Sequence, residues 1–152
     1  MKRAETASEP ISEARWCVER SDEVAALLER HAIDPGRIGD GPAWHVMPYA
    51  SLWAVESKSR PEWIGWWVVC GDLPGDVLAA HDLPTPRDAL RAFGKRWALH
   101  GAALDRGEVP SAWAHLQDEA LPKLAATLKR RGAALLAWAD DEASWPAERD
   151  AG

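Results

Sequence analysis

The sequence predicts an α+β domain: a small antiparallel sheet of about three strands around a central tryptophan-rich hairpin, flanked by three main helices. The hairpin is the first observation behind this. Within residues 42–76 two β-rich runs, P-A-W-H-V-M-P-Y-A-S-L-W-A-V and W-I-G-W-W-V-V-C-G-D-L-P-G-D, are joined by the charged segment 56–62. Five of the ten tryptophans (Trp44, Trp53, Trp63, Trp66, Trp67) fall here, beside the only tyrosine, Tyr49. The second observation is apolar spacing of helical period near residues 12–31, 86–105 and 122–139. The third is the punctuation between these stretches by Pro, Gly and Thr.

Taken in order, Trp16, Val24, Leu27 and Leu28 recur at helical spacing between Ser12 and His31, so the first helix presents Trp16 and the Leu pair to the core. A-I-D-P-G at 32–36 ends it, because Pro cannot continue a helix and Gly tolerates positive φ. Residues 36–42 form a loop whose G-x-x-G lacks the basic surroundings and helix pair of an RNA-binding clamp, and is read as chance. The first strand, 44–55, is interrupted by Pro48, which demands an edge position or a bulge. The second, 63–70, is apolar on both faces: Trp63, Trp67 and Val69 on one, Ile64, Trp66, Val68 and Cys70 on the other. A strand with one wet face alternates with polar residues, so both faces of this one need a cover. L-P-G-D at 73–76 predicts a type II turn and a short third strand at 77–80.

Thr85 is placed to cap the second helix, with Pro86 in its first turn and Asp88 at its positive end. This helix runs to about Asp105 with Leu90, Phe93, Trp97, Gly101 and Leu104 on one face, while Arg87, Arg91 and Lys95 read as a solvated stripe. A last helix, 122–139, sets Leu124, Leu128, Leu135 and Ala139 on one side.

The 152 residues suit one globular domain, expected over 10–145, with flexible tails at 1–9 and 146–152. A hydrophobic content of 47% with 28% charged residues is that of a folded protein. The net charge of −6 argues against a nucleic-acid partner, which is bound through a surplus of Lys and Arg. The N-terminal residues lack the apolar run of a signal peptide, and no apolar stretch is long enough to span a membrane. Cys17 and Cys70, without C-x-x-C spacing, are expected as two buried free thiols of a reducing compartment. Together these point to the cytoplasm.

Three groups of residues have both a chemical and a structural reading. Asp72, Asp76, His81 and Asp82, with His45 near them, are types that bind divalent metals or serve as acid and base at strand ends. Their spacing matches no metal motif, and a carboxylate at 72 or 76 has the structural task of accepting N–H groups around a Pro-Gly turn, so no metal and no cofactor is expected. Ser51 and Ser57 lack a nucleophile-elbow setting, and apolar surroundings raise the pKa of Cys17 and Cys70, so no catalytic residue is assigned. The tryptophans carry the strongest signal. Trp16, Trp66, Trp97 and Trp138 are expected in the core, and Trp113 and Trp145 over its edges. For Trp44, Trp53, Trp63 and Trp67 two readings stand side by side: core, or the lining of a pocket or interface. Of the adjacent pair in the second strand, Trp66 is assigned to the core and Trp67 to the functional side.

P-A-W-H-V-x-P-Y-x-S-x-W-A-x-E-S (42–57), G-W-W-V-x-x-G-D-L-P (65–74) and P-R-D-A-L-R-A-F (86–93) resemble a small bacterial family classed as a domain of unknown function. The likeness covers about residues 15–141. It implies a single compact domain and transfers no catalytic residue. Members tend to carry Tyr at the position of Val77 and Asp at that of His81, which counts against a family-wide role for His81. The leading functional expectation is a non-enzymatic cytosolic binding module. Its tryptophan-rich hairpin contacts a protein partner, of regulatory or toxin-neutralising type, or its own copy. Its candidate binding residues are Trp44, His45, Tyr49, Trp53, Trp63, Trp67, Asp72 and Asp76. The alternative is an enzyme or small-ligand binder with a tryptophan-walled pocket and His45, Asp72 and Asp76 at the rim.

Overall fold

Two apolar faces of one sheet, each with its own helical cover, organise the protein. The structure, a computed structural model, describes residues 12–145; the expected tails lie outside the described residues. Helix α1 (Glu13–Arg30) is followed by strands β1 (Trp44–Val46), β2 (Ala50–Glu56), β3 (Ile64–Gly71) and β4 (Leu73–Ala79), then α2 (Pro86–Asp105) and α3 (Leu121–Asp140). Short 3-10 turns lie at Ser111–Trp113, Asp118–Ala120 and Glu142–Ser144. The strands form an antiparallel meander in the order β1-β2-β3-β4. The α+β class is as the sequence predicts, and the sheet has four strands rather than three.

The extra strand comes from Pro48. The expected strand 44–55 folds back on itself there, with Tyr49 N–H donating to Val46 C=O (2.7 Å), and becomes the hairpin β1–β2. A second difference lies at 73–76, where the sequence suggests a type II turn. The reversal occurs two residues earlier, through Gly71 at φ 141°, and Leu73 and Asp76 already pair with Gly71 and Val69 as part of strand β4. Gly71 is required there, since a Cβ would stand 2.7 Å from the Tyr49 carbonyl oxygen. Pro74 is tolerated because β4 is an edge strand.

Strand β3 separates the two cores. Trp67 and Val69 join Leu52 of β2 and the α2–α3 residues Leu90, Phe93, Trp97, Leu128 and Leu135. Val68 and Cys70 join Trp53, Val55 and Val77 under Val24, Leu27 and Leu28 of α1. This reverses the assignment of the adjacent tryptophans. Trp67 is 1% exposed and its indole donates to the Leu83 carbonyl (2.9 Å), whereas Trp66 is only half-buried against the α1 side. The alternation also breaks at Gly65, which is the extra residue between the Val55–Trp66 and Glu56–Ile64 pairs. Trp63 and Ile64 are thereby put out of phase with the rest of the strand and left at the surface.

The helix boundaries follow local chemistry. Ser12 accepts the Arg15 N–H at the start of α1, and the Thr85 hydroxyl accepts the Asp88 N–H (3.1 Å) at the start of α2 while donating to the Asp88 carboxylate (2.9 Å). Helix α1 ends at His31, with Ala32 at φ 57° doing what a glycine usually does. Helices α2 and α3 pack closely because Gly94 and Gly132 meet at their crossing: a Cβ on Gly132 would lie 3.1 Å from both the Gly94 carbonyl oxygen and the Trp97 Cβ. The arginine stripe is less solvated than expected. Arg87 Nε donates to the Ala139 carbonyl (2.6 Å) and Arg91 reaches the same oxygen, so the pair serves the carboxyl end of α3. Trp44 stacks on Trp145 and meets Trp138 at a tilt of 59°, which fastens β1 to the end of the domain.

Truncating Trp67 to Ala is expected to cost about 3–5 kcal/mol, the range for a large buried aromatic. Trp66→Ala should cost clearly less, as read from the denaturant midpoints of the two variants. Thr85→Ala should lower stability by about 1 kcal/mol through loss of the cap; an unchanged midpoint would mean that the hydroxyl contributes nothing to the helix start.

Candidate functional site

The sequence-derived site residues do not gather in one place. Trp44, Trp53 and Trp67 are buried in the cores. His45, on edge strand β1, faces α1, where its Nε2 lies 2.6 Å from the Glu13 carboxylate and its ring lies against Trp16. Asp76 is on the opposite edge strand and faces α2. Asp72 sits at the β3–β4 turn and pairs with Arg131 of α3 (3.1 Å). His81 and Asp82 form an exposed pair at 3.3 Å, apart from the others. Among the described residues no group of three or more His, Cys, Asp or Glu is placed to hold a metal ion. Tyr49, at 48% exposure, and Trp63, at 60%, are the candidates that reach the surface as large aromatics.

Around Trp63 there is a cleft of about 720 Å³ between the β2–β3 loop and the β4–α2 loop. Trp63, Ile64, Leu83 and Pro84 make its apolar walls, and Glu62 and Asp82 stand at its rim. Both acidic residues have left-handed backbones, at φ 74° and 64°, a conformation that is costly outside glycine and is retained where the surrounding structure enforces it. The Arg60 guanidinium lies over the Trp63 ring, 4.1 Å from its centroid, and holds the indole in place. The sequence signal for this site was Trp63 itself. Ile64, Leu83 and Pro84 were not legible, since only the Gly65 bulge and the return of the β4–α2 loop bring them together.

The chain belongs to the DUF4826 family. A match to this family, described as a domain of unknown function, spans residues 11–145 and therefore nearly the whole chain. No curated protein and no solved structure matches it.

A second cleft in this DUF4826 domain, of about 580 Å³, lies where Val77 of β4, the end of α1, α2 and the 111–115 connection meet. Its polar residues are Arg30, His31, Arg96, Ser111 and His115. Behind it is Asp76, 1% exposed. Asp76 Oδ2 accepts from Arg96 Nε (2.8 Å) and Trp97 Nε1 (2.9 Å), and Oδ1 accepts from Val77 N–H (2.9 Å). A buried carboxylate has to be paired and hydrogen-bonded, and this one is. The turn role expected for Asp76 is thus replaced by a tie between β4 and α2. Nearby, Trp113 Nε1 donates to His100 Nδ1 (2.8 Å). The thiols lie elsewhere. Cys70 is buried and pushed up to about 12 by that burial; Cys17 is only partly buried, against expectation, and its pKa is raised by desolvation and then by Glu13. Neither is a ready nucleophile.

The His100 contact has a pH consequence. Burial first, and then the charge of Arg96, lower the His100 pKa in the folded state, with Asp76 opposing them. The unfolded chain therefore holds this proton more tightly, and protonation of Nδ1 also removes the acceptor for Trp113. The contribution is fully present above the unfolded value of about 6.5 and is lost as pH falls through the folded value. Denaturant midpoints should fall from pH 7.5 towards 5.5 more steeply in the natural protein than in a His100→Gln variant. Parallel curves would remove His100 from the acid response.

Proposed function

We propose that the domain is a non-enzymatic, cytoplasmic binding module that engages a protein partner through the cleft around Trp63. The observation that carries this reading is the exposure of Trp63. Seven of the ten tryptophans are buried and Trp66 and Trp138 are half-buried, yet Trp63 stands 60% exposed with Ile64 beside it at 41%. An aromatic and a β-branched side chain at the mouth of a cleft have the composition of an interaction hot spot. The acidic rim of Glu62 and Asp82, on a chain of net charge −6, favours a partner segment with an apolar anchor flanked by Lys or Arg. A regulatory or toxin-neutralising role for such a module agrees with its size and acidity. The free thiols of Cys17 and Cys70 support the reducing compartment, and the resemblance of the sequence motifs supports a bacterial origin.

The second reading, a small-ligand binder with a tryptophan-walled pocket, draws support from the same cleft. Its rim in that case is Glu62 and Asp82, and His45, Asp72 and Asp76 lie elsewhere.

Trp63→Ala separates binding from folding. Its denaturation midpoint should stay within about 0.5 kcal/mol of the natural protein, as for an exposed position. Side-by-side affinity capture from bacterial cytosol, quantified by mass spectrometry, should show a protein retained by the natural domain and lost with Trp63→Ala. Sedimentation at increasing concentration tests the second copy as partner. If neither experiment yields a Trp63-dependent complex, the protein-binding reading fails; a Trp63-dependent small molecule would transfer the site to the second reading.

A further inference from the structure

The cleft between α1, β4 and α2 concentrates positive charge in an acidic protein. It is lined by Arg30, His31, Arg96 and His115 with the Ser111 hydroxyl, and among the described residues no carboxylate lines it. Several arginines of this protein have carboxylate partners, as Arg15 has Glu19 and Arg106 has Glu108. By contrast, the side chains of Arg30, His31 and His115 make no ion pair or hydrogen bond among the described residues. Arg96 does have a partner, and that partner makes it more useful. The buried Asp76 carboxylate takes Arg96 Nε at 2.8 Å and is itself fixed by Trp97 and the Val77 N–H. The two terminal nitrogens of the guanidinium make no hydrogen bond among the described residues. An arginine anchored from behind, with its outer nitrogens uncommitted beside a cleft, has already lost the side-chain freedom that binding would otherwise cost.

We infer that this cleft binds the phosphate group of a small phosphorylated molecule, with Arg96 as the anchored fork and Arg30 as the second cation. Guanidinium groups match the tetrahedral oxygens of phosphate by paired, charge-assisted hydrogen bonds. The Ser111 hydroxyl and the two imidazoles supply further donors. The volume, about 580 Å³, exceeds what a bare phosphate fills and lies within the usual range for small-molecule sites. Val77 and Ala112 offer short apolar walls for the remainder of the molecule. This site is separate from the Trp63 cleft, and its test does not depend on the partner proposed there.

The probe is inorganic phosphate, added to the full chain at constant ionic strength, with succinate and chloride in parallel. The readout is the NMR signals of the Trp113 and Trp97 indole N–H groups, which lie beside and behind the cleft. Phosphate should produce a saturable shift that chloride does not, with succinate weaker. Arg30→Gln should weaken phosphate by about tenfold or more, as for a lost charge-assisted hydrogen bond. Arg96→Gln leaves Asp76 uncompensated and can unfold the domain, so Arg30→Gln is the deciding variant: its side chain holds nothing together in the folded protein. An unsaturable response equal to that of chloride overturns the inference, as does succinate binding as tightly as phosphate. Affinity unchanged in Arg30→Gln would overturn it too.

Discussion

Strand β3 has no wet side, and the architecture follows from that constraint. Trp67 and Val69 on one face and Val68 and Cys70 on the other all have to leave water. One helix covers the second face and a helical hairpin the first, which places the sheet in the middle of three layers. A single helix suffices over Trp53, Val55, Val68 and Val77, because Ile33 and Ile38 of the following segment also pack on that cluster, held there as Gly36 and Gly39 donate to the β2 carbonyls of Glu56 and Ala54. The G-x-x-G of this loop thus has a structural reason. A Cβ at Gly36 would come within 3.0 Å of the Glu56 and Ser57 carbonyl oxygens.

The two sheet edges are treated differently, and the surface features gather on one of them. The β2 and β1 side is occupied by the 36–43 loop, whose backbone continues the hydrogen bonding where β1 is too short. Strand β4 carries Pro74 and, among the described residues, has no strand on its outer side, and both clefts border it or its continuation, at Val77 and at Ala80. Asp76 is what makes this edge rigid. Its carboxylate is buried under α2, and the three donors that satisfy it come from β4 itself and from successive residues of α2, Arg96 and Trp97. Such a pair contributes little net stability over an apolar substitute, but removing one member leaves a buried charge, so it holds the edge in one register and one orientation.

Opposite electrostatics separate the clefts. An apolar wall with Glu62 and Asp82 at the rim suits a basic and apolar segment, whereas Arg30 and Arg96 suit an oxyanion. A protein of net charge −6 can keep both because each is local: at physiological ionic strength charges are screened beyond about 8 Å.

The sequence by itself determined the class of the fold, the three helices nearly to the residue, the Thr85 cap and the need to cover both faces of β3. These depend on interactions within a few positions along the chain: apolar periodicity, a hydroxyl three residues from an N–H, and the absence of polar alternation. It misplaced the turn at 73–76 and exchanged the roles of Trp66 and Trp67. Val68 and Cys70 are as buried as Trp67 and Val69, so both faces are covered; how far the cover reaches along each face, and hence the partial exposure of Trp66, is set by tertiary packing that no local pattern records. The Gly65 bulge likewise altered the phase of Trp63 and Ile64 relative to the rest of β3. The clefts were decided by tertiary structure alone. Arg30 and Arg96, or Trp63 and Pro84, are far apart in sequence and ordinary in composition, and they become sites only because the packing of α1 and α2 against β4 brings distant side chains to one edge.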